Sequence, residues 1–268
     1  DPADVAVLNS DDDTAGITVA PTAGLATSEA GGTASFTVRL HSQPLADVVI
    51  PVSSSNGAEG TVSASALTFT SANWNVAQTV TLTGVDDAVM DGDIAYQVDL
   101  AATTSGDPVY AGVDAADVSA TNADNDVAGI TITPTAGLVT TEAGGTATFT
   151  VRLTSQPVAD VVIPVSSSLT AEGMVSIPSL TFTSANWNTP QTVTVTGVDD
   201  LVRDGDIAYQ IVLAAAASSD PVYSGMDAAD VSATNLDNDV SGISVTPTAG
   251  LVTSESGATA TFTVRLTS

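Results

Sequence analysis

Cysteine and lysine are both missing from this sequence, histidine occurs once, and the only other basic side chains are four arginines. Without cysteine there is no disulfide, no thiol nucleophile and no thiolate metal site. So few basic groups leave almost nothing to neutralise phosphate, which argues against nucleic acid and anionic membranes as partners. The single histidine, His41, falls where the second copy of an internal repeat has Thr154. A function shared by the copies therefore cannot depend on imidazole. No apolar run approaches the ~18 residues of a membrane span, and the opening residues carry no leader pattern. The chain reads as a soluble segment of a longer protein.

What is present is carboxylate on an apolar framework. Asp and Glu number 31 and the formal charge is −27, yet charged residues make up only 13% of the 268 against 43% hydrophobic. Such a chain can build a core, unlike a disordered acidic tail.

An internal repeat decides the architecture. The string GITVAPTAGLATSEAGGTASFTVRL begins at Gly16, recurs at Gly129 and again at Gly242, in steps of 113 residues. Residues 16–128 and 129–241 are identical at 86 of 113 positions without a gap. Residues 1–15 align with 114–128 and read as the last strand of a preceding unit; residues 242–268 read as the first strands of a following one.

Within a unit the apolar residues alternate. Ala34, Phe36, Val38 and Leu40 are separated by Ser, Thr and Arg, and Val80 and Leu82 by threonines. This period of two predicts strands with one buried face. Turn clusters such as TSEAGG, SSSNGAEG and VDDAVMDGD separate strands expected at about 16–21, 33–41, 47–54, 60–63, 66–70, 78–85, 94–102 and 116–123. Strands of that number and spacing predict an all-β fold, an immunoglobulin-like antiparallel β-sandwich. The units follow one another with no flexible spacer, so a rod of tandem sandwiches is expected.

The loops of a sandwich gather at its two ends. Glu29, Glu59, Asp86, Asp87, Asp91, Asp93, Asp124 and Asp126 are expected at the end where the chain leaves the unit, eight of the 13 acids of the first repeat. The second copy repeats them as Glu142, Glu172, Asp199, Asp200, Asp204, Asp206, Asp237 and Asp239. Charges so crowded repel, by about 1 kcal/mol per close pair even in water. A hard cation removes the repulsion, and Ca²⁺ takes six to eight oxygen ligands with no need of His or Cys. Magnesium, which keeps more of its water, suits such a cluster less well.

Three motifs in order, TSEAGG, VDDxxxDGD before IAYQVDL, and a terminal DND, resemble those of the Calx-β family of calcium-binding sandwich modules. The resemblance spans each full unit. It implies Ca²⁺ ligands at Glu29, Glu59, Asp86, Asp87, Asp91, Asp124 and Asp126, with the carbonyl of Val89. Their second-copy counterparts are Glu142, Glu172, Asp199, Asp200, Asp204, Asp237 and Asp239, with Val202; Asp11 and Asp13 correspond to the last two acids of a preceding unit. Ile94 and Asp91 depart from the family pattern, which has an acid and a glutamate there. Asp93 is the residue of the loop better suited to capping backbone amides.

By the same resemblance the chain looks like a calcium-stiffened stalk of a large extracellular bacterial adhesin or surface filament. Its implied partners are neighbouring repeats and, through side or end contacts, other copies of itself. An alternative uses the opposite end, with Asp47, Trp74 and Asp107 and their counterparts Asp160, Trp187 and Asp220, to bind a glycan or host protein. There Trp74 is expected to plug the core and the aspartates to serve turns, one of the second set being a candidate ligand for the preceding cap. Arg39, Arg152 and Arg265, at one recurring strand position, are expected to pair with nearby acids. No enzyme is expected, because an active site seldom recurs in every unit of an array.

Overall fold

The computed structural model describes residues 2–10 and 12–268. They form two compact units, one ending at Asp126 and the next beginning at Val127. Among the described residues there is no α-helix, hence none long and apolar enough to cross a membrane.

In the first unit the strands run β1 (Ile17–Ala20), β2 (Leu25–Ser28), β3 (Thr33–Leu40), β4 (Val48–Ser54), β5 (Gly60–Val62), β6 (Ala66–Phe69), β7 (Gln78–Gly84), β8 (Ile94–Leu100), β9 (Thr104–Ser105) and β10 (Val118–Ala123). One sheet has the order β1-β3-β7-β5 and the other β2-β10-β8-β4-β6, with β9 beside β4. Neighbours are antiparallel except β2, which lies parallel to β10. The second unit repeats both sheets with β11 (Ile130–Thr133), β12 (Leu138–Thr141), β13 (Thr146–Leu153), β14 (Val161–Ser167), β15 (Gly173–Val175), β16 (Ser179–Phe182), β17 (Gln191–Gly197), β18 (Ile207–Leu213) and β19 (Val231–Leu236). In each unit the two sheets enclose one core, so each is a β-sandwich.

The alternation in sequence is the alternation in burial. Phe36, Val38 and Leu40 of β3 face Val80 and Leu82 of β7 across one inner surface, and Val48, Ile50, Val52, Val98, Leu100 and Val118 supply the other. Burying each such side chain contributes roughly 1.5–3 kcal/mol. Trp74 packs half-buried against this core and Trp187 against that of the second unit, as expected of end plugs. Asp107, 3% exposed, accepts the N–H groups of Leu45 at 2.7 Å and Val109 at 2.9 Å, a turn role that Asp220 repeats on Val158 and Val222.

Several expectations change. Strand β2, read from sequence as part of a turn, crosses to the sheet opposite β1, because LATS is too short and too polar to announce a strand without its partner. Residues 2–10 and 12–15 form no strand; the counterpart segment, β10, is a strand through its ladders with β2 and β8. Residues 242–268 contribute only β20 (Ile243–Thr246) and β21 (Thr263–Leu266), paired with each other, and Phe262 and Leu266 are exposed where Phe36 and Leu40 are buried. Among the described residues none of Arg39, Arg152 and Arg265 forms the expected ion pair; all are exposed on their strands.

Candidate metal centre

Strand register places the acidic loops together. Strands β2 and β10, running parallel, end side by side at Ser28 and Ala123. Strand β8 starts at the same level, with Ile94 opposite Asn122. In the other sheet β7 ends with Gly84 opposite Gly60, where β5 starts, and Thr83 opposite Thr33, where β3 starts. The turns that carry Glu29, Glu59, Asp86, Asp87, Asp91, Asp93, Asp124 and Asp126 therefore emerge from one end of the sandwich. Gly84 joins the two sheets there: a Cβ on it would stand 2.2 Å from the Ser28 carbonyl oxygen and 2.4 Å from Asn122 Oδ1.

At this end the carboxylates form two clusters. One oxygen from each of Glu29, Asp124 and Asp126 lies within 4.8 Å of the others, and Glu59, Asp87 and Asp91 form a second set by the same measure. The second unit repeats them as Glu142, Asp237 and Asp239 and as Glu172, Asp200 and Asp204. Glu29 and Glu59 are the buried members, 4% and 7% exposed.

Backbone donors position the first cluster. The Asn125 N–H donates to Glu29 Oε2 at 3.0 Å, the Asp126 N–H to Asp124 Oδ1 at 2.7 Å, and the Gly92 N–H to Asp124 Oδ2 at 2.8 Å. Asp93 stays outside both clusters and accepts the Asp124 N–H at 3.1 Å, the capping role anticipated for it. Asp86 also lies outside, accepting from Asn125 Nδ2 at 3.0 Å, so Asn125 ties the exit of β10 to the β7–β8 loop. Val89 donates its N–H to Asp87 Oδ1 at 2.7 Å, shaping that loop. Asp199, Asp206 and Val202 repeat these arrangements. Asp13 lines an opening with Ser42, Asp107 and Tyr110 at the opposite end of the first unit. Asp11 lies outside the described residues.

The electrostatics are those of an uncompensated cluster. Burial first, then the charges of Asp124, Asp87 and Asp126, push Glu29 up against the opposing hydrogen bond from Asn125. Desolvation and then Asp124, Asp86 and Asp87 raise Asp126, and desolvation with Glu59, Asp87 and Asp124 raises Asp91. Asp124 goes the other way: burial opposes its charge, but the N–H groups of Asp126 and Gly92 hold it below the usual carboxylate range. In the second unit the Asn238 N–H works against a rise in Glu142, which burial and then Asp237, Asp200 and Asp239 nevertheless impose. Desolvation and four neighbouring aspartates raise Asp239.

These residues fit a hard divalent cation. Asp126 Oδ2 and Asp239 Oδ2 are sealed from solvent and have no hydrogen-bond partner, an arrangement that burial penalises unless something positive completes it. Two oxygens held by one Ca²⁺ at ~2.4 Å stand at most ~4.8 Å apart, and the oxygens of each cluster lie within that limit. Every donor is oxygen, as calcium requires.

No family model and no curated protein sequence matches the chain. Among solved structures the chain is similar to the calcium binding domain CBD12 of CALX1.1, with 14% identity, a TM-score of 0.34, and coverage of 75% of this chain and 80% of that one. It is also similar to the apo-form Calx CBD1 domain, at 17% identity and TM-score 0.32 over 41% of this chain and 96% of that one. A third likeness is to domains 4 and 5 of the S-layer protein SbsC, at 17% identity and TM-score 0.32 over 70% and 77%. These are weak likenesses, and the sandwich fold stands on the chain's own strand pairing.

Beneath the clusters lies a polar layer that sequence reasoning missed. Asn122, 1% exposed, donates from Nδ2 to Glu59 Oε2 at 3.3 Å and to the Val85 carbonyl at 3.0 Å, and its Oδ1 accepts from Thr27 Oγ1 at 3.0 Å. The Thr27 hydroxyl also meets the Tyr96 hydroxyl at 3.2 Å. Asn235, Thr140 and Tyr209 repeat the network. The available signal was an Asn on the inward register of β10, in line with Val118 and Ala120. Sequence reasoning also passed over Arg203, which replaces Met90 inside the acidic loop of the second unit. After the N–H groups of Asp239 and Gly205, its charge helps to hold Asp237 low.

Proposed function

We propose that each unit is a structural spacer whose acidic end is closed by Ca²⁺, within an extracellular bacterial adhesin or surface filament. The observation that carries the metal reading is the sealed, unpartnered carboxylate oxygen of Asp126, repeated at Asp239, inside a cluster of like charges. The ligands would be Glu29, Asp124 and Asp126 in one group and Glu59, Asp87 and Asp91 in the other, with counterparts in the second unit. Bound calcium supplies charge neutralisation and cross-linking. The residues tied together belong to the exit of β10, the end of β2, the start of β5 and the β7–β8 loop, so the direction in which the chain leaves the sandwich becomes fixed.

Near-identity of successive units supports a spacer, since each copy keeps the same acids, with no thiol in the chain and no imidazole common to both copies. Trp74 and Trp187 pack half-buried against the cores, which favours the spacer over a glycan- or protein-binding role for that end. Extracellular modules commonly bind calcium at about 10⁻⁴–10⁻³ M, which suits sites left partly open to solvent. Binding to the folded form alone would add about 2.7 kcal/mol at a hundredfold excess over Kd.

Small-angle scattering of the full chain in calcium and in chelator tests the mechanical part. The expected outcome is a narrower distribution of maximum dimensions with calcium. Identical profiles in the two conditions would remove the stiffening role.

A further inference from the structure

The acids of the two units correspond one for one at the calcium end, and within the loops that carry them the only change of charge is Met90 to Arg203. Arg203 directly precedes Asp204, which shares a cluster with Glu172 and Asp200. It is exposed, so it faces solvent beside the clusters and does not plug the core. The influence of its charge extends to Asp237, a member of the other cluster. The guanidinium thus stands in the loop that supplies Asp200 and Asp204, and arginine keeps its charge at any physiological pH.

We propose that Arg203 makes the acidic end of the second unit a weaker calcium site than that of the first, so that the two ends fill in order as calcium rises. This ranking rests on the calcium reading of both ends. The sealed oxygen of Asp239 marks the second end as a metal site in its own right, and the arginine sets how readily it fills. Without metal, the guanidinium offsets part of the repulsion among the acids. With metal, it repels the dication. Both effects shrink the gain on binding. Screened mostly by water, a single positive charge in the loop that holds a divalent ion weakens binding on the order of fivefold. Salt should narrow the difference, because the interaction runs through solvent.

The two ends carry matched reporters. The Gly92 N–H donates to Asp124 Oδ2 and the Gly205 N–H to Asp237 Oδ2, each at 2.8 Å. A calcium titration of the full chain, followed by the amide resonances of both glycines, reads each end separately. The expected midpoint at Gly205 lies about fivefold above that at Gly92. Arg203→Met should bring the Gly205 midpoint down to that of Gly92, and Met90→Arg should carry Gly92 up to that of Gly205. In chelator, Arg203→Met should melt below the parent chain. Coincident midpoints in the parent chain, or a gap that survives Arg203→Met, overturns the assignment of Arg203. Silence of both glycines up to roughly 10 mM calcium, well past the range of weak extracellular sites, overturns the calcium reading itself.

Discussion

At the scale of single residues, the carboxylates of this chain differ by what their neighbours do to them. Asp124 receives two backbone N–H groups and is held low, whereas Asp126, two residues on, has a sealed oxygen with no donor and is pushed up. The same residue type thus serves once as a bracket for the backbone and once as a site waiting for charge. Asp126→Asn combined with Asp239→Asn should separate these roles. In chelator the double variant is expected to melt higher than the parent, because two destabilising charges are gone. In calcium it should gain less than the parent, and differential scanning calorimetry in the two buffers checks both signs. A lower melting temperature in chelator would instead show that these side chains support the fold directly.

At the scale of elements, the acidic end depends on how closely two sheets approach one another. Gly84 and Gly197 sit where a Cβ would strike the carbonyl of Ser28 or Thr141 and the amide of Asn122 or Asn235 at 2.2 and 2.4 Å. Gly84→Ala should therefore destabilise the first unit by about 1–3 kcal/mol, while Gly57→Ala, with nothing within 4 Å of the added carbon, should be neutral in the same urea titration. Asn122→Leu should also destabilise by roughly 1–3 kcal/mol, since it leaves Glu59 without the Nδ2 donor. The long alternating strands, β3, β4, β7, β8 and β10, were legible in sequence, each being long enough to show its period. Strand β2 was not. Its four residues become a strand only through the parallel ladder with β10, a partner more than ninety positions away. The acids of the clusters were legible as motifs, but their division into two groups was not, because Asp86 and Asp93 differ from Asp87 and Asp91 only in which way the loop turns them.

At the scale of the whole molecule, the pH response follows from the carboxylates together. Groups raised in the folded state, Glu29, Asp91, Asp126, Glu142 and Asp239, bind protons more tightly folded than unfolded. Their stabilising contribution is fully present below the unfolded pKa and is lost as pH rises through the folded value. Asp124 and Asp237, held low, contribute stability above their unfolded pKa that is lost as pH falls through the folded one. In chelator the melting temperature should therefore rise as pH falls from neutrality towards the ordinary carboxylate range at about pH 4, and fall again below it, where Asp124 and Asp237 lose their stabilising charge. In saturating calcium the rise should vanish, because protons then compete with the metal; melts across pH in both buffers check this. The sequence by itself determined the repeat, the all-β class and the supply of acids, since these are properties of period and composition. Only the tertiary structure decided which oxygens meet, which lie sealed and unpartnered, and that Asn122, Thr27 and Tyr96 hold them from below. Those outcomes depend on ladder register and on contacts between residues far apart in the chain, which no local pattern encodes.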